Sequence, residues 1–279
     1  MSEIRQGRVE EITSHSNPRI KSIRALAMKK ARDRDGLFIA EGLKLSTDAL
    51  AAGWEITTLV HPKRALEDDN LRGRIEPLSA TIRARGGDIL TVPDKLMVAL
   101  TKRDNPQVVL SVIRQKETAT TDVPSGNETW LCLEKVRDPG NLGTCFRTAE
   151  ALGIAQVLLV GDTTDPFALE TVRATMGAFF HVPFARLSNE QLTQLAKGFR
   201  TNGGNVTGAH LEGSEDHRAL DYSVGPQLLV MGNEQAGLTS EASAACDRLA
   251  RIPMAGEADS LNLAVATGIL TFAARNHAL

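Results

Sequence analysis

The chain has 279 residues, 42% hydrophobic and 24% charged, which excludes a disordered protein and fits one large domain or two ordinary ones. No run of 18 apolar residues occurs, so a spanning helix of that kind is excluded, and the charged start MSEIRQGRVEEITSH lacks the apolar centre of a secretory signal. The net charge is −2, aromatics are 4%, and the three cysteines (Cys132, Cys145, Cys246) form no CxxC; the expectation is a cytoplasmic protein with reduced thiols, not one that binds single strands by stacking bases.

The average charge conceals a division. Residues 1–116 carry 21 basic against 15 acidic residues, a balance of +6, and the remainder carries 11 against 19, a balance of −8. Opposite-sign halves point to two domains with different electrostatic tasks. Much of the excess lies in Arg19, Lys21, Arg24, Lys29, Lys30, Arg32 and Arg34, with Ile20, Ile23, Leu26 and Ala27 interleaved at helical spacing. This pattern predicts one amphipathic helix with a basic face. It serves either as a solvated surface helix or as a phosphate-binding face.

Glu41 to Gly53 has helical periodicity closed by glycine, while Ile56–Val60, Ile89–Val92 and Val108–Ile113 read as strands. Residues 1–116 are therefore expected to form a small α/β domain. Residues 117–128, rich in Thr, Asp, Pro, Ser and Gly without an apolar period, are the expected linker. From 129 to 279 the strand candidates are Trp130–Leu133, Gln156–Val160, Phe179–Val182, Asn205–Thr207, Gln227–Met231 and Leu249–Ile252. Helical stretches separate most of them, beginning with Gly143–Leu152, and this β-α alternation predicts a parallel sheet. The final segment, Ser260–Arg275, is apolar almost all round and is expected to be buried on most sides.

Three polar, glycine-bearing loops follow strands in this half: Arg137–Gly143, Gly232–Gly237 and Pro253–Asn262. Loops at the carboxyl ends of parallel strands form ligand crevices, and glycine lets backbone approach a ligand closely. A GxGxxG, a GxxxxGK[ST] and a GxSxG are all missing, which disfavours an unrelated doubly wound small-molecule enzyme. His15, His61, His181, His210, His217 and His277 show no ligand spacing, so no metal site is expected. What is left is a backbone-rich pocket suited to a cofactor that brings its own reactivity.

The segments DPGNLGTCFRTAEALG (138–153), LLVMGNEQAGL (228–238) and IPMAGEADSLNLAVA (252–266) resemble, in order and spacing, the three motifs of the SpoU-type RNA ribose 2′-O-methyltransferases of the SPOUT superfamily. RATMGAFFHVP (173–183) is similar to a segment carried between the first two. NPRIKSIRAL and FIAEGLKLSTDAL resemble the L30e-like substrate-binding domain often joined to these enzymes, although that domain's Pro-Gln-Gly is here Pro106-Gln107-Val108. The similarity spans roughly residues 13 to 275.

The resemblance implies an α/β chain in two parts. A smaller L30e-like RNA substrate-binding domain (1–116) precedes a SPOUT methyltransferase domain (129–279) with a parallel sheet and a trefoil knot. It implies S-adenosylmethionine as cofactor, near Met231, Gly232, Ile252, Met254, Leu261 and Ala264. It implies catalytic roles for Asn141, Arg147, Glu234, Ser260 and Asn262, no metal, and a homodimer in which the arginine acts near the partner's cofactor. Read without the motifs, Asn141 is a helix N-cap, Arg147 a surface arginine, Glu234 a loop acid and Ser260 the cap of the last helix.

In the family Arg147's counterpart has been proposed as the base. A guanidinium with a pKa above ~12 is normally never deprotonated, so an anchor for phosphate and for developing negative charge is the alternative. The partner implied is RNA, ribosomal in preference to transfer RNA, with Arg19, Lys21, Arg24, Lys29 and Lys30 as its contacts. A non-catalytic RNA-binding or ribosome assembly factor that keeps the fold is the competing reading.

Overall fold

Short apolar strands alternating with helices build two separate sheets in a computed structural model, which describes residues 6–101, 103, 105–118, 122–213 and 215–276. His277 lies outside the described residues. Described residues of Met1–Lys116 group with Phe167–Arg173 in one compact unit, and those of Glu117–Pro166 with Ala174–Leu279 in a second.

In chain order the first unit contains β1 (Val9–Glu11), α1 (Pro18–Ala25), α2 (Lys29–Asp35), β2 (Leu37–Glu41), α3 (Leu43–Ala51) and β3 (Ile56–Pro62). It continues with α4 (Asp69–Ala84), β4 (Asp88–Val92), α5 (Asp94–Thr101) and β5 (Leu110–Arg114). The sheet order is β1-β4-β3-β5-β2, with β5 antiparallel to both neighbours. Ile20, Ile23 and Leu26 pack with Leu96, Met97 and Leu100 over Val60 and Leu90.

Two expectations are corrected here. The single basic helix is two, because the chain turns after Ala25 and the Arg32 guanidinium donates to the carbonyls of Leu26 (2.9 Å) and Ala27 (3.1 Å). Arg32, only 4% exposed, closes the end of α1 instead of joining a surface patch. The helix expected from Glu41 begins at Leu43. Glu41 ends buried strand β2, and Gly42 (φ +102°) makes the corner. The buried Glu41 carboxylate receives two bonds from Arg173, at 2.6 and 3.1 Å.

The second unit begins with β6 (Thr129–Glu134), α6 (Pro139–Ala151) and β7 (Gln156–Val160). The chain then forms α7 (Leu169–Ala174), nearly all of which belongs to the first unit. It returns through β8 (Phe184–Leu187), α8 (Asn189–Thr201), β9 (Asn205–Ala209), β10 (Glu215–Asp216), β11 (Gln227–Met231), α9 (Ser240–Ala245), β12 (Arg248–Arg251) and α10 (Leu263–Arg275). The sheet runs β10-β12-β9-β11-β6-β7-β8 and every pairing is parallel. α8 and α9 cover one set of its apolar residues, with Phe199, Leu192, Ala242 and Ala245 against Trp130, Cys132, Val206 and Val230.

The described part of 117–128 lies on this unit. Thr118 N–H donates to Phe184 O at 2.8 Å, Val123 packs on the core, and Asn202 holds the carbonyls of Val123 and Pro124. The strand expected at Phe179–Val182 is instead a 3₁₀ turn over Ala178–Phe180, wound by successive i→i+3 bonds after left-handed Met176 and Gly177. A short apolar run does not distinguish these outcomes. The last helix starts at Leu263, not Ser260, and one apolar stripe is uncovered, with Val265 and Phe272 each 51% exposed.

α6 is fixed in place by Phe146, fully buried edge-on to Phe179 (5.5 Å between ring centroids) and Phe184 (5.6 Å). Phe146→Ala should lower stability by about 3–5 kcal/mol, read as a shifted urea midpoint. An unchanged midpoint would show that α6 is held by other contacts.

Candidate functional site

In the second sheet β12, β9, β11 and β6 are consecutive neighbours, so the loops that follow them emerge side by side. Crevices of parallel sheets form at such carboxyl ends. The three loops expected from sequence follow β6, β11 and β12; the fourth, after β9, was not expected to contribute.

The loop after β11 folds back on itself. Asn233 and Gly237 exchange backbone bonds of 2.9 and 3.0 Å, with Gly237 at φ +68°. Asn233 Oδ1 accepts from the N–H groups of Gln235 and Ala236, and Nδ2 donates to Lys135 O at 2.9 Å. Gly232 is obligatory, since a Cβ there would lie 2.2 Å from the carbonyl carbon of Gly237.

Asp138, not Asn141, caps α6, accepting from Asn141 N–H at 2.6 Å. Asn141 is thereby placed in the first turn with its side chain free to bridge. Its Nδ2 donates to Glu234 Oε1 at 3.2 Å, and its Oδ1 accepts from Asn262 Nδ2 at 2.9 Å. Glu234 also receives longer bonds, both 3.4 Å, from the N–H groups of Arg137 and Asp138. Asn262, not Ser260, caps α10, with Oδ1 accepting from Ala264 and Val265 N–H. Three residues, one from each expected loop, meet in one hydrogen-bonded chain.

Beside this junction lies a cavity of about 370 Å³, in the size range of small-molecule sites. Met231, Gly232, Ile252, Met254, Leu261, Glu234 and Ser260 line it. Ala264 is buried and is not among the lining residues. Asn141 and Asn262 bond to the lining residue Glu234 or to each other and are not part of the lining. Arg147 is exposed on α6, makes no ion pair among the described residues and does not line the cavity. Six positions beyond Asn141, it lies about 120° around the helix from it.

Sequence reading missed Ala209, His210, Leu211 and Glu212, which line the cavity from the loop after β9. The available signal was a strand followed by the polar, glycine-ended HLEG. His210 Nδ1 accepts from Glu212 N–H at 3.1 Å, which leaves the neutral ring's proton on Nε2.

The lining contains Glu212 and Glu234 and no lysine or arginine, so the cavity favours a cationic ligand with apolar surface. Behind it, burial pushes the Cys145 thiol up to about 12, opposed by its bond to Thr267 Oγ1 (3.6 Å). Cys145 is thus neutral and no nucleophile.

The basic residues of the first unit divide. Arg19 is held by Glu10 (3.0 Å) and Asp88 (2.6 Å), and Lys29 by Asp33 (2.7 Å). Lys21, Arg24 and Lys30 are exposed without an ion pair among the described residues.

Known proteins match both units. Residues 17–111 match the MRM3-like substrate binding domain, and residues 128–272 match the SpoU rRNA Methylase family. The 23S rRNA (guanosine(2553)-2′-O)-methyltransferase RlmP of Bacillus subtilis is 29% identical over 95% of this chain and 98% of its own length. An AdoMet-bound rRNA methyltransferase from Sinorhizobium meliloti superposes with a TM-score of 0.88 at 48% identity, covering 97% of this chain and 99% of that one. The SpoU methyltransferase AviRb from Streptomyces viridochromogenes, in complex with AdoMet, gives 0.83 at 27% identity over 94% and 98%. With the motif loops joined at Asn141 and more than half its length matched, the chain belongs to the SpoU rRNA methylase family.

Proposed function

We propose that this protein transfers the methyl group of S-adenosylmethionine to a ribose 2′-hydroxyl of RNA, ribosomal RNA being the substrate class. The observation that carries this reading is the Glu234–Asn141–Asn262 junction beside an apolar, acid-lined cavity. Ribosomal RNA is favoured over transfer RNA because RlmP of B. subtilis, which this chain resembles over nearly its whole length, is a 23S rRNA methyltransferase. The same reading assigns 1–116 to substrate binding, 117–128 to a tether and 129–279 to methyl transfer. It includes the trefoil knot implied by the motifs: β12 lies two strands out from β11, yet α10 returns to pack on α6 and β11.

The cavity suits the cofactor by its donor set. Met231, Ile252, Met254 and Leu261 offer apolar surface, Gly232–Gly237 offers backbone groups, and Glu212 and Glu234 offer negative charge. When bound, S-adenosylmethionine supplies an electrophilic methyl group on a positive sulfonium, a reactivity that calls for no metal. Asn141, Glu234 and Asn262 hold the three loops, and Ser260 presents its hydroxyl at the cavity edge. Arg147 anchors the phosphate beside the target ribose and stabilises negative charge developing on the 2′-oxygen. Much of the rate then comes from positioning, without a strong base.

Arg147 does not line its own chain's cavity, which favours a homodimer in which it serves the partner's. The stripe of exposed Val265 and Phe272 with half-buried Gly268 and Ile269 on α10, packed beside α6, is the surface we assign to that contact. Lys21, Arg24 and Lys30 are the cations we assign to RNA phosphates. Lys29 joins them at little cost, since an exposed ion pair is worth only about 0–1 kcal/mol, whereas Arg19 is committed to two acids.

Arg147→Ala should lower methyl transfer to rRNA by about 100-fold or more, with calorimetric affinity for S-adenosylmethionine within about twofold of wild type. Wild-type turnover in this variant would sink the mechanism. The triple variant Lys21→Glu, Arg24→Glu, Lys30→Glu should raise the KM for RNA by about tenfold or more and flatten its salt dependence, leaving cofactor affinity alone. An unchanged KM would move RNA binding to another face. Val265→Asp with Phe272→Asp should sediment as a monomer and lose transfer; a fully active monomer would contradict the dimer.

A further inference from the structure

Glu134 is the last residue of β6 and is completely buried, yet no cation pairs with it among the described residues. Both its oxygens are taken by Thr239. Oε2 accepts the Thr239 N–H at 2.9 Å, and Oε1 accepts the Thr239 hydroxyl at 2.5 Å. That hydroxyl also accepts from Ala242 N–H at 3.2 Å as the N-cap of α9, so its own proton is available to the carboxylate. A buried carboxylate is costly unless its acceptor capacity is met, and bonds to an ionised acceptor are the stronger kind. The neighbouring thiols add no charge, since burial pushes Cys246 up to about 12 and Cys132 well above its ordinary value.

The register of the sheet gives this pair its meaning. Leu133, next to Glu134, pairs with Met231, where the chain leaves β11 for the cavity loop. Thr239 is where that loop ends. The tip of β6 therefore holds both ends of the segment that lines the cavity with Gly232 to Gly237. The middle is pinned separately, by the Asn233–Gly237 pair and by Glu234 on Asn141. The exit is held by a side chain outside the three motif loops, that of Glu134.

We infer that Glu134 is a positioning residue: by clamping Thr239 it fixes the 232–238 wall in the ligand-free protein and so sets the affinity for S-adenosylmethionine. This inference rests on the proposed use of the cavity. Glu134→Gln keeps size and one acceptor but turns an amide N–H₂ toward the Thr239 hydroxyl, which then has no acceptor for its own proton. Thr239→Ser keeps both bonds, and Thr239→Val removes the hydroxyl.

The test is calorimetric titration with S-adenosylmethionine, steady-state transfer at saturating RNA, and Glu-C cleavage after Glu234 in the ligand-free protein. Glu134→Gln should raise both Kd and KM for S-adenosylmethionine about tenfold, the equivalent of one hydrogen bond to a charged group, with kcat within about twofold. Thr239→Val should follow it, Thr239→Ser should match wild type, and cleavage should accelerate in the first two only. A Glu134→Gln protein with a lower Tm but wild-type Kd overturns the proposal, because its role would be structural alone. If Glu134→Gln does not fold, the Thr239 pair decides: equal Kd values for Ser and Val overturn it. A wild-type protein that binds no S-adenosylmethionine overturns the proposed function, and equal cleavage rates in wild type and Glu134→Gln then overturn the clamp independently.

Discussion

The side-chain amide of Asn141 has one donor end and one acceptor end, and the two face different loops. Glu234 can only accept, so it takes the Nδ2 end, and the Oδ1 end is left for Asn262. The amide is thus oriented, and loops leaving three different strands meet at one point. This geometry needs α6 to begin early. Had Asn141 been the cap, its oxygen would be spent on its own helix; because Asp138 takes that task, Asn141 is released. Each such bond contributes only about 0.5–1.5 kcal/mol, but leaving a partner unsatisfied costs more, so the three loops hold their places together.

A second constraint is the closeness of backbone to backbone. Gly232 lies where any side chain would strike Gly237, and the Asn233 side chain fills the turn from inside. The cavity wall is then mostly main chain, whose position is set by its ends. Charge follows the same division of labour. In the second unit acids are retained at the cavity or buried as pure acceptors, as at Glu234 and Glu134. Many of the first unit's cations are neutralised in surface pairs, but Lys21, Arg24 and Lys30 are not.

What could be read from the sequence followed from period and punctuation. β7 and β11 match their apolar runs residue for residue, and the loops after β6, β11 and β12 are marked by glycine beside polar residues. Seven residues named from the motif resemblance lie in the lining: Met231, Gly232, Glu234, Ile252, Met254, Ser260 and Leu261. Misreadings arise where tertiary contacts decide. Phe179 and Phe180 are apolar enough for a strand, but left-handed Met176 and Gly177 wind them into a turn that packs on α6. Arg32 looks like its neighbours in sequence and differs only in finding two carbonyls. Ala264, in the third motif, is buried and is not among the residues that line the cavity. Glu134 offered no signal of its own, since an acid at the end of an apolar run reads as a strand ending at solvent. Its burial becomes visible only once Thr239, 105 residues later, is seen to meet it.

These features bear on where catalysis is completed. Attack by a 2′-hydroxyl on a methyl group builds negative charge on the attacking oxygen, and an enzyme gains rate by placing positive charge or donors there in advance. The cavity lining carries Glu212 and Glu234, which suit a sulfonium and oppose an oxyanion. Glu234 is occupied by amide donors, the Cys145 thiol is neutral, and the free His210 nitrogen carries a proton. The lining offers donors such as His210 Nε2–H but no lysine or arginine, so a cation to meet that charge would come from outside it. On the proposed reading that cation is Arg147, unpaired and exposed on the helix that carries Asn141, but about 120° away around it. The α10 stripe beside that helix is apolar and uncovered. Separating the two charges onto two copies of the chain would spare each cavity an arginine that repels its own cofactor, and would make transfer conditional on assembly.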